Sequence, residues 1–144
     1  MTALKAMKMD MGDVVRKRKK KSTSRQSAVR ALDKAFGDYI KARDGVCVIC
    51  GTDKNLTCGH LFTRAAYSTR WNPNNAFCQC SSCNLRHEYD FYPLDSYARA
   101  RHGNEAIDEL HVVHKTPMKF KTYQLEEMAR YWTRKANEIR EGKS

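Results

Sequence analysis

The chain has 144 residues and a mass of 16.7 kDa, which suits one domain with a tail. Its 27 Lys and Arg against 16 Asp and Glu leave a net charge of +11 and a pI near 9.5, which argues against an ordinary acidic metabolic enzyme and for a polyanionic partner, nucleic acid or an anionic membrane surface. No run of 18 apolar residues would cross a bilayer and no apolar stretch near the start reads as a signal peptide, so a cytoplasmic location is expected, that of a bacterial host if the chain is phage-encoded.

The charge is unevenly placed. Residues 1–25 hold nine cations and two acids, with six consecutive cations at Arg16, Lys17, Arg18, Lys19, Lys20 and Lys21. Such a run repels itself and buries little, so 1–25 is expected to be a disordered basic arm and 26–144 a single folded domain. The arm reads as a phosphate-binding segment, with a solubility tail and a nuclear localisation signal as the other readings.

Val29, Leu32, Phe36, Tyr39 and Ile40 recur at helical steps, which predicts a helix over 26–43 ended by Gly45. The β-branched Val46, Val48 and Ile49, with turn residues after them, predict two short strands within 46–62. Residues 63–75 read as a loop around Asn72-Pro73-Asn74-Asn75. A short helix is expected from Ser81 or Ser82 past His87, then a link over 89–93. Further helices are expected at 95–102 with Asp95 as cap, and at 104–111 with Asn104 as cap. The last helix, capped by Thr122, carries the stripe Leu125, Met128, Ala129, Trp132, Ala136 and Ile139, read as core packing in preference to a partner groove.

Cys47-Val-Ile-Cys50 and Cys80-Ser-Ser-Cys83 are two C-x-x-C pairs. Two thiolates at that spacing bind one metal from a tight turn, and two such turns complete a tetrahedral four-cysteine zinc site. The 29 residues between Cys50 and Cys80 exceed the usual ribbon spacing, so something is held between the knuckles. Disulfides and a redox pair compete with this reading, but a structural zinc suits a small core better. Cys58 and Cys78 read as small buried residues, with Cys78 in place of Cys80 as an open alternative.

Between and after the pairs lie His60, Asn75, Asn84 and His87. A neutral imidazole can take a proton near pH 7. A hard oxygen donor such as an Asn amide suits Mg²⁺. The order Cys-x-x-Cys, His, Asn, Cys-x-x-Cys-Asn resembles the HNH nuclease superfamily, whose active site is a ββα-metal motif. Gly59-His60 with Arg64, then Arg70-Trp71-Asn72 with Asn75, then Gln79-Cys80-x-x-Cys83-Asn84 and Gly103-x-Glu105-Ala106-Ile107-Asp108-Glu109-Leu110 resembles, more closely, the lambdoid phage NinG family, also called Rap.

The resemblance implies an α+β fold: a zinc-stapled ββα-metal core flanked by helices, with the basic arm in front. It implies a metal-dependent endonuclease on branched recombination intermediates such as Holliday junctions and D-loops. His60 would be the general base, Asn75 would orient it, and Asn84 would reach a catalytic Mg²⁺ or Mn²⁺. His87 would be a second ligand or a phosphate contact. Arg64, Arg70 and Arg86, with Arg16–Lys21 of the arm, would hold the DNA backbone. A homodimer is expected of a junction resolvase, with the last helix as interface, and no membrane partner is expected. The superfamily often has an acidic residue just before the base, whereas this chain has Thr57, Cys58 and Gly59, so His87, Glu88, Asp90 or a water would take that place. Two other functions remain open: a nicking or packaging-associated nuclease on duplex DNA, and a zinc-stabilised DNA-binding module without catalysis.

Overall fold

The computed structural model describes residues 24–142. The cationic run Arg16–Lys21, with residues 1–23 of the proposed arm, lies outside the described residues. The first helix among the described residues is Ser24–Asp44, so Ser24 and Arg25, within the span read as arm, are helical.

The elements run α1 (Ser24–Asp44), β1 (Leu56–His60), α2 (Tyr67–Arg70), β2 (Ala76–Cys80), α3 (Ser81–Arg86), α4 (Tyr92–His102), α5 (Asn104–His114) and α6 (Thr122–Arg140). The fold is α+β, with one two-stranded sheet among the described residues. The strands pair antiparallel from Leu56 with Cys80 to His60 with Ala76. The two strands are joined through the short α2, and α3 starts directly after β2.

Two expectations change here. The segment 46–50 is a turn and not a strand. Its two cysteines need a tight reversal, closed by Cys47 N–H to Thr52 O at 2.9 Å and Gly51 N–H to Cys47 O at 2.9 Å. The second strand instead comes from 76–80, where every residue is buried. The predicted 63–75 loop contains α2, whose Thr69 is buried.

Helix ends differ in smaller ways. α4 starts at Tyr92, with Pro93 in its first turn, where a missing N–H costs nothing, so Asp95 is inside the helix rather than its cap. Gly103, at φ 93°, both ends α4 and precedes α5, which leaves Asn104 as the first helical residue. Lys121, not Thr122, is the residue before α6, and its N–H donates to Gln124 Oε1 at 2.7 Å.

The hairpin is covered on both faces. Ala76 and Cys78 pack with Leu32, Phe36 and Ile40 of α1 and Leu125 of α6. Phe77 points the other way, into a second core with Leu61, Leu94, Ala98, Ile107 and Leu110. This alternation is the period-two geometry of a strand. The stripe on α6 is used as core: Trp132 meets Phe36 edge-on at 5.2 Å and Tyr39 at 4.7 Å.

Candidate metal centre and candidate active site

The two knuckles meet at one end of the hairpin. The sulfurs of Cys47, Cys50, Cys80 and Cys83 all lie within 4.8 Å of one another, and Cys50 and Cys80 are 3.7 Å apart. A tetrahedral zinc with bonds of about 2.3 Å spaces its sulfurs about 3.8 Å apart. The N–H groups of Cys50 and Cys83 point at Cys47 Sγ and Cys80 Sγ, at 3.5 and 3.4 Å. Burial opposes ionisation of Cys47, but the N–H groups of Cys50, Cys80 and Ile49 outweigh it and bring the thiol to about 6. Burial and the neighbouring sulfurs push Cys83 up to about 12. Four sulfurs this close do not all ionise unless a cation stands among them, so the group could hold a metal such as zinc.

Cys58 and Cys78 are not part of this cluster. They face each other across the strands, and Cys78 is buried in the α1 core. Burial raises both thiols, Cys58 to about 12 and Cys78 to about 11. All six cysteines are free thiols.

The other end of the hairpin carries the cleft. It has a volume of about 440 Å³ and is lined by His60, Thr63, Arg64, Asn84, His87 and Glu88, among others. His60 is the last residue of β1. Its Nε2 lies 2.9 Å from the backbone oxygen of Arg70. A carbonyl only accepts, so Nε2 carries the proton and Nδ1 keeps a lone pair. Burial lowers the pKa of His60, Arg64 and Arg70 lower it further, and the Arg70 carbonyl and Asp33 oppose them without prevailing. The imidazole is therefore neutral at pH 7.

His87 repeats the arrangement one turn after Asn84. Its Nε2 lies 2.9 Å from Leu61 O, so Nδ1 again holds the lone pair, here buried without a hydrogen-bond partner. A backbone carbonyl behind an imidazole is how a ligating histidine is usually fixed. Asn84, His87 and Glu88 thus present an amide, an imidazole and a carboxylate to one cleft.

Asn75 makes no hydrogen bond to His60. It is fully buried, and its Oδ1 accepts from Phe62 N–H at 2.8 Å. Its Nδ2 donates to Phe62 O at 3.1 Å and Thr69 O at 3.0 Å. Leu61 N–H adds a bond to Asn75 O at 2.8 Å. Asn75 therefore fixes both the chain just after His60 and the chain just before the Arg70 carbonyl. Its side-chain hydrogen bonds thus run to backbone and not to the ring.

Arg70 is turned away from the cleft. Its side chain is 13% exposed and grips Asp33, Nη2 to Oδ2 at 2.6 Å and Nε to Oδ1 at 3.1 Å. Trp71 Nε1 donates to the same carboxylate at 2.8 Å, and Arg64 pairs with it at 2.9 Å. The guanidinium read as a DNA contact is thus engaged with Asp33 in this structure. Arg64 remains exposed on the cleft wall, and Arg86 is exposed without an ion pair among the described residues.

Several contributors escaped the sequence reading. Asp33, on α1, had no signal of its own in the sequence. Asp44, 2% exposed, accepts from Arg43, Arg101 and Cys78 N–H, so it joins the end of α1 to β2 and α4. Arg43 also donates to Pro73 O and Ala76 O, both at 2.9 Å, which seats the Asn-Pro-Asn turn. Leu85, Tyr89, Phe91 and Tyr92 stand exposed around the turn after α3, beside Glu88. An exposed aromatic run just past a metal knuckle was the available signal, but it read as a link.

The chain matches the family model described as Bacteriophage Lambda NinG protein over residues 4–143. The chain belongs to the lambda phage NinG family. The match covers both knuckles, the cleft and α6 of this NinG-family chain. No curated protein and no solved structure matches it. No helix among the described residues is long and apolar enough to cross a membrane.

Proposed function

We propose that this NinG-family protein is a metal-dependent endonuclease with an HNH-type ββα-metal core, and that it cuts branched DNA formed in recombination. The observation that carries the reading is the pair of histidines, His60 and His87. Each has Nε2 held by a backbone carbonyl and Nδ1 left with its lone pair, and both line one cleft. Imidazoles fixed in that tautomer are suited to accept a proton or bind a cation.

In this reading water attacks phosphorus and its proton passes to His60 Nδ1. The phosphodiester opens to a 5′-phosphate and a 3′-hydroxyl, the departing 3′ oxygen taking a proton from solvent water. Asn84 and His87 would hold Mg²⁺ or Mn²⁺, supported by the unpartnered Nδ1 of His87 beside an amide donor. When bound, that cation supplies positive charge to the phosphate as the transition state gains negative charge. Arg64, and the cationic run of residues 16–21, would take flanking phosphates. Tyr89 and Tyr92, 82% and 71% exposed, would stack on the unpaired bases of a branch point. A zinc in the Cys47–Cys83 cluster would have no part in the chemistry, since four cysteines leave no open position.

The absence of a carboxylate at Gly59 favours one other reading, a zinc-stapled DNA binder that does not cleave. The test is a four-way junction beside a matched linear duplex, each with Mg²⁺ or Mn²⁺, for the native chain and His60→Ala. Junction-selective cleavage is expected, reduced by about 10²-fold or more in the variant, with zinc content and DNA binding retained. Equal cutting of both substrates would point to a nicking enzyme on duplex DNA. Binding without cutting would leave the non-catalytic module.

A further inference from the structure

Gln79 is buried, 1% exposed, and its Oε1 has no hydrogen-bond partner. A buried amide oxygen left unpaired is costly, and few native positions carry one. Gln79 pairs with Thr57 across the strands, so its side chain leans over the face of β1 that Gly59 also presents. Gly59 is where the backbone makes room. A Cβ placed there would stand 2.0 Å from Gln79 Oε1 and 2.8 Å from Asn84 Oδ1. Two amide oxygens therefore lie within 2.8 Å of one point. The side chain of Asn84 has no hydrogen bond among the described residues, so no donor from it satisfies Gln79. Both oxygens stand over Gly59 with no donor on Gln79 Oε1, a place that a cation would complete.

The geometry points to Gln79 Oε1 as a protein ligand of the same divalent cation that Asn84 and His87 would hold, with Gly59 required to admit it. This inference rests on the reading of the cleft given above. It accounts for the missing carboxylate: the oxygen comes from the neighbouring strand instead of from the residue before His60. It also has a consequence for binding. Two amides and an imidazole carry no net charge, which leaves the exposed Glu88 as the one carboxylate of the cleft lining, whereas Mg²⁺ and Mn²⁺ usually draw on several. Such a set holds the cation weakly until a phosphate oxygen adds negative charge, so cation and DNA strengthen each other's binding by the same factor.

The experiment is Mn²⁺ binding, followed by electron paramagnetic resonance of the free ion, on the full zinc-loaded chain. A His60→Ala background keeps the DNA intact, and a short duplex serves as the phosphate source. Gln79→Leu is expected to weaken Mn²⁺ binding by about tenfold or more, as Asn84→Ala does, with zinc content unchanged. Gln79→Glu is expected to strengthen binding without DNA by a similar factor, and the duplex to strengthen it in the parent. If Asn84→Ala weakens binding while both Gln79 variants leave it unchanged, Gln79 is not a ligand and the reading of the cleft stands. If none of the three variants moves it, both fall. Should Gln79→Leu lose its zinc, the isosteric Gln79→Glu decides. Tight Mn²⁺ binding that the duplex does not alter would overturn the neutral-ligand argument.

Discussion

At the Leu56–Cys80 end of the hairpin, four sulfurs converge from two tight turns; at the His60–Ala76 end, imidazole and amide groups line an open cleft. The sulfur end is closed. All four donors come from the chain, and they become anionic together when a dication binds. The cleft is open. Burial keeps His60 neutral, and both imidazoles, His60 and His87, are held from behind by a backbone carbonyl. The contrast is between four donors that could complete the coordination of one metal and so serve the fold, and a cleft that leaves space and charge to be completed from outside.

The largest expected effect is at the sulfur end. Removing metal with a chelator, or Cys80→Ser, should abolish cooperative folding of the hairpin, since structural zinc supplies on the order of 10 kcal/mol to such folds. Loss of the far-ultraviolet and near-ultraviolet circular dichroism transitions would show it. A chain that melts unchanged without metal would erase the contrast between the two ends.

Asn75→Ala comes next. It strips the partners from Phe62 N–H and two carbonyls in a buried loop, which should cost about 2–4 kcal/mol in urea unfolding. Zinc content should stay full. Because the His60 ring is positioned through that backbone, the cleavage rate should fall more than DNA affinity does. An equal fall in both would make Asn75 a purely structural residue.

Asp33→Asn should cost about 2–3 kcal/mol, because it leaves the half-buried Arg70 without its counter-charge. Burial works against the Asp33 carboxylate, but Arg70, Trp71 and Arg64 hold its pKa below the ordinary 3.8. Its stabilisation is thus present above pH 3.8 and is lost as pH falls through the lowered folded value. The amide in its place does not titrate, so the substitution removes this acid-side slope. A urea series from pH 5 to 3 would detect that as a native-minus-variant difference that shrinks on acidification.

The smallest effect is on pH dependence. Burial, then the charges of Arg64 and Arg70, push His60 below 6.5. The base form therefore prevails at pH 7, and the rate of cleavage should rise along a limb with its midpoint below 6.5. Asp33 pulls the other way, so Asp33→Asn should move the limb to still lower pH. A midpoint above 6.5 would mean that His60 is not the group titrating.

The two regions were also unequally legible. The sulfur cluster was readable from spacing, because C-x-x-C is a local geometric unit and two copies make one tetrahedron. His60, Asn84 and His87 were nominated through the family motif, and the structure brings all three to one cleft. Asn75 was placed as an orienting residue, but its hydrogen bonds run to backbone, since a buried amide satisfies the nearest unpaired peptide groups. Arg70 read as a phosphate contact because Asp33 is 37 residues away, and no local pattern announces a partner at that distance.

What the sequence determined by itself was the helical stripes of α1 and α6, the knuckles, and the family. Each depends on contacts within a few residues or on a motif read in order. Only the tertiary structure decided which strand pairs with β1, which carboxylates hold which guanidiniums, and that Gln79 and Asn84 share the space over Gly59. Strand pairing and buried ion pairs are chosen by what must be satisfied once water is excluded, and that exclusion exists only when distant segments have packed.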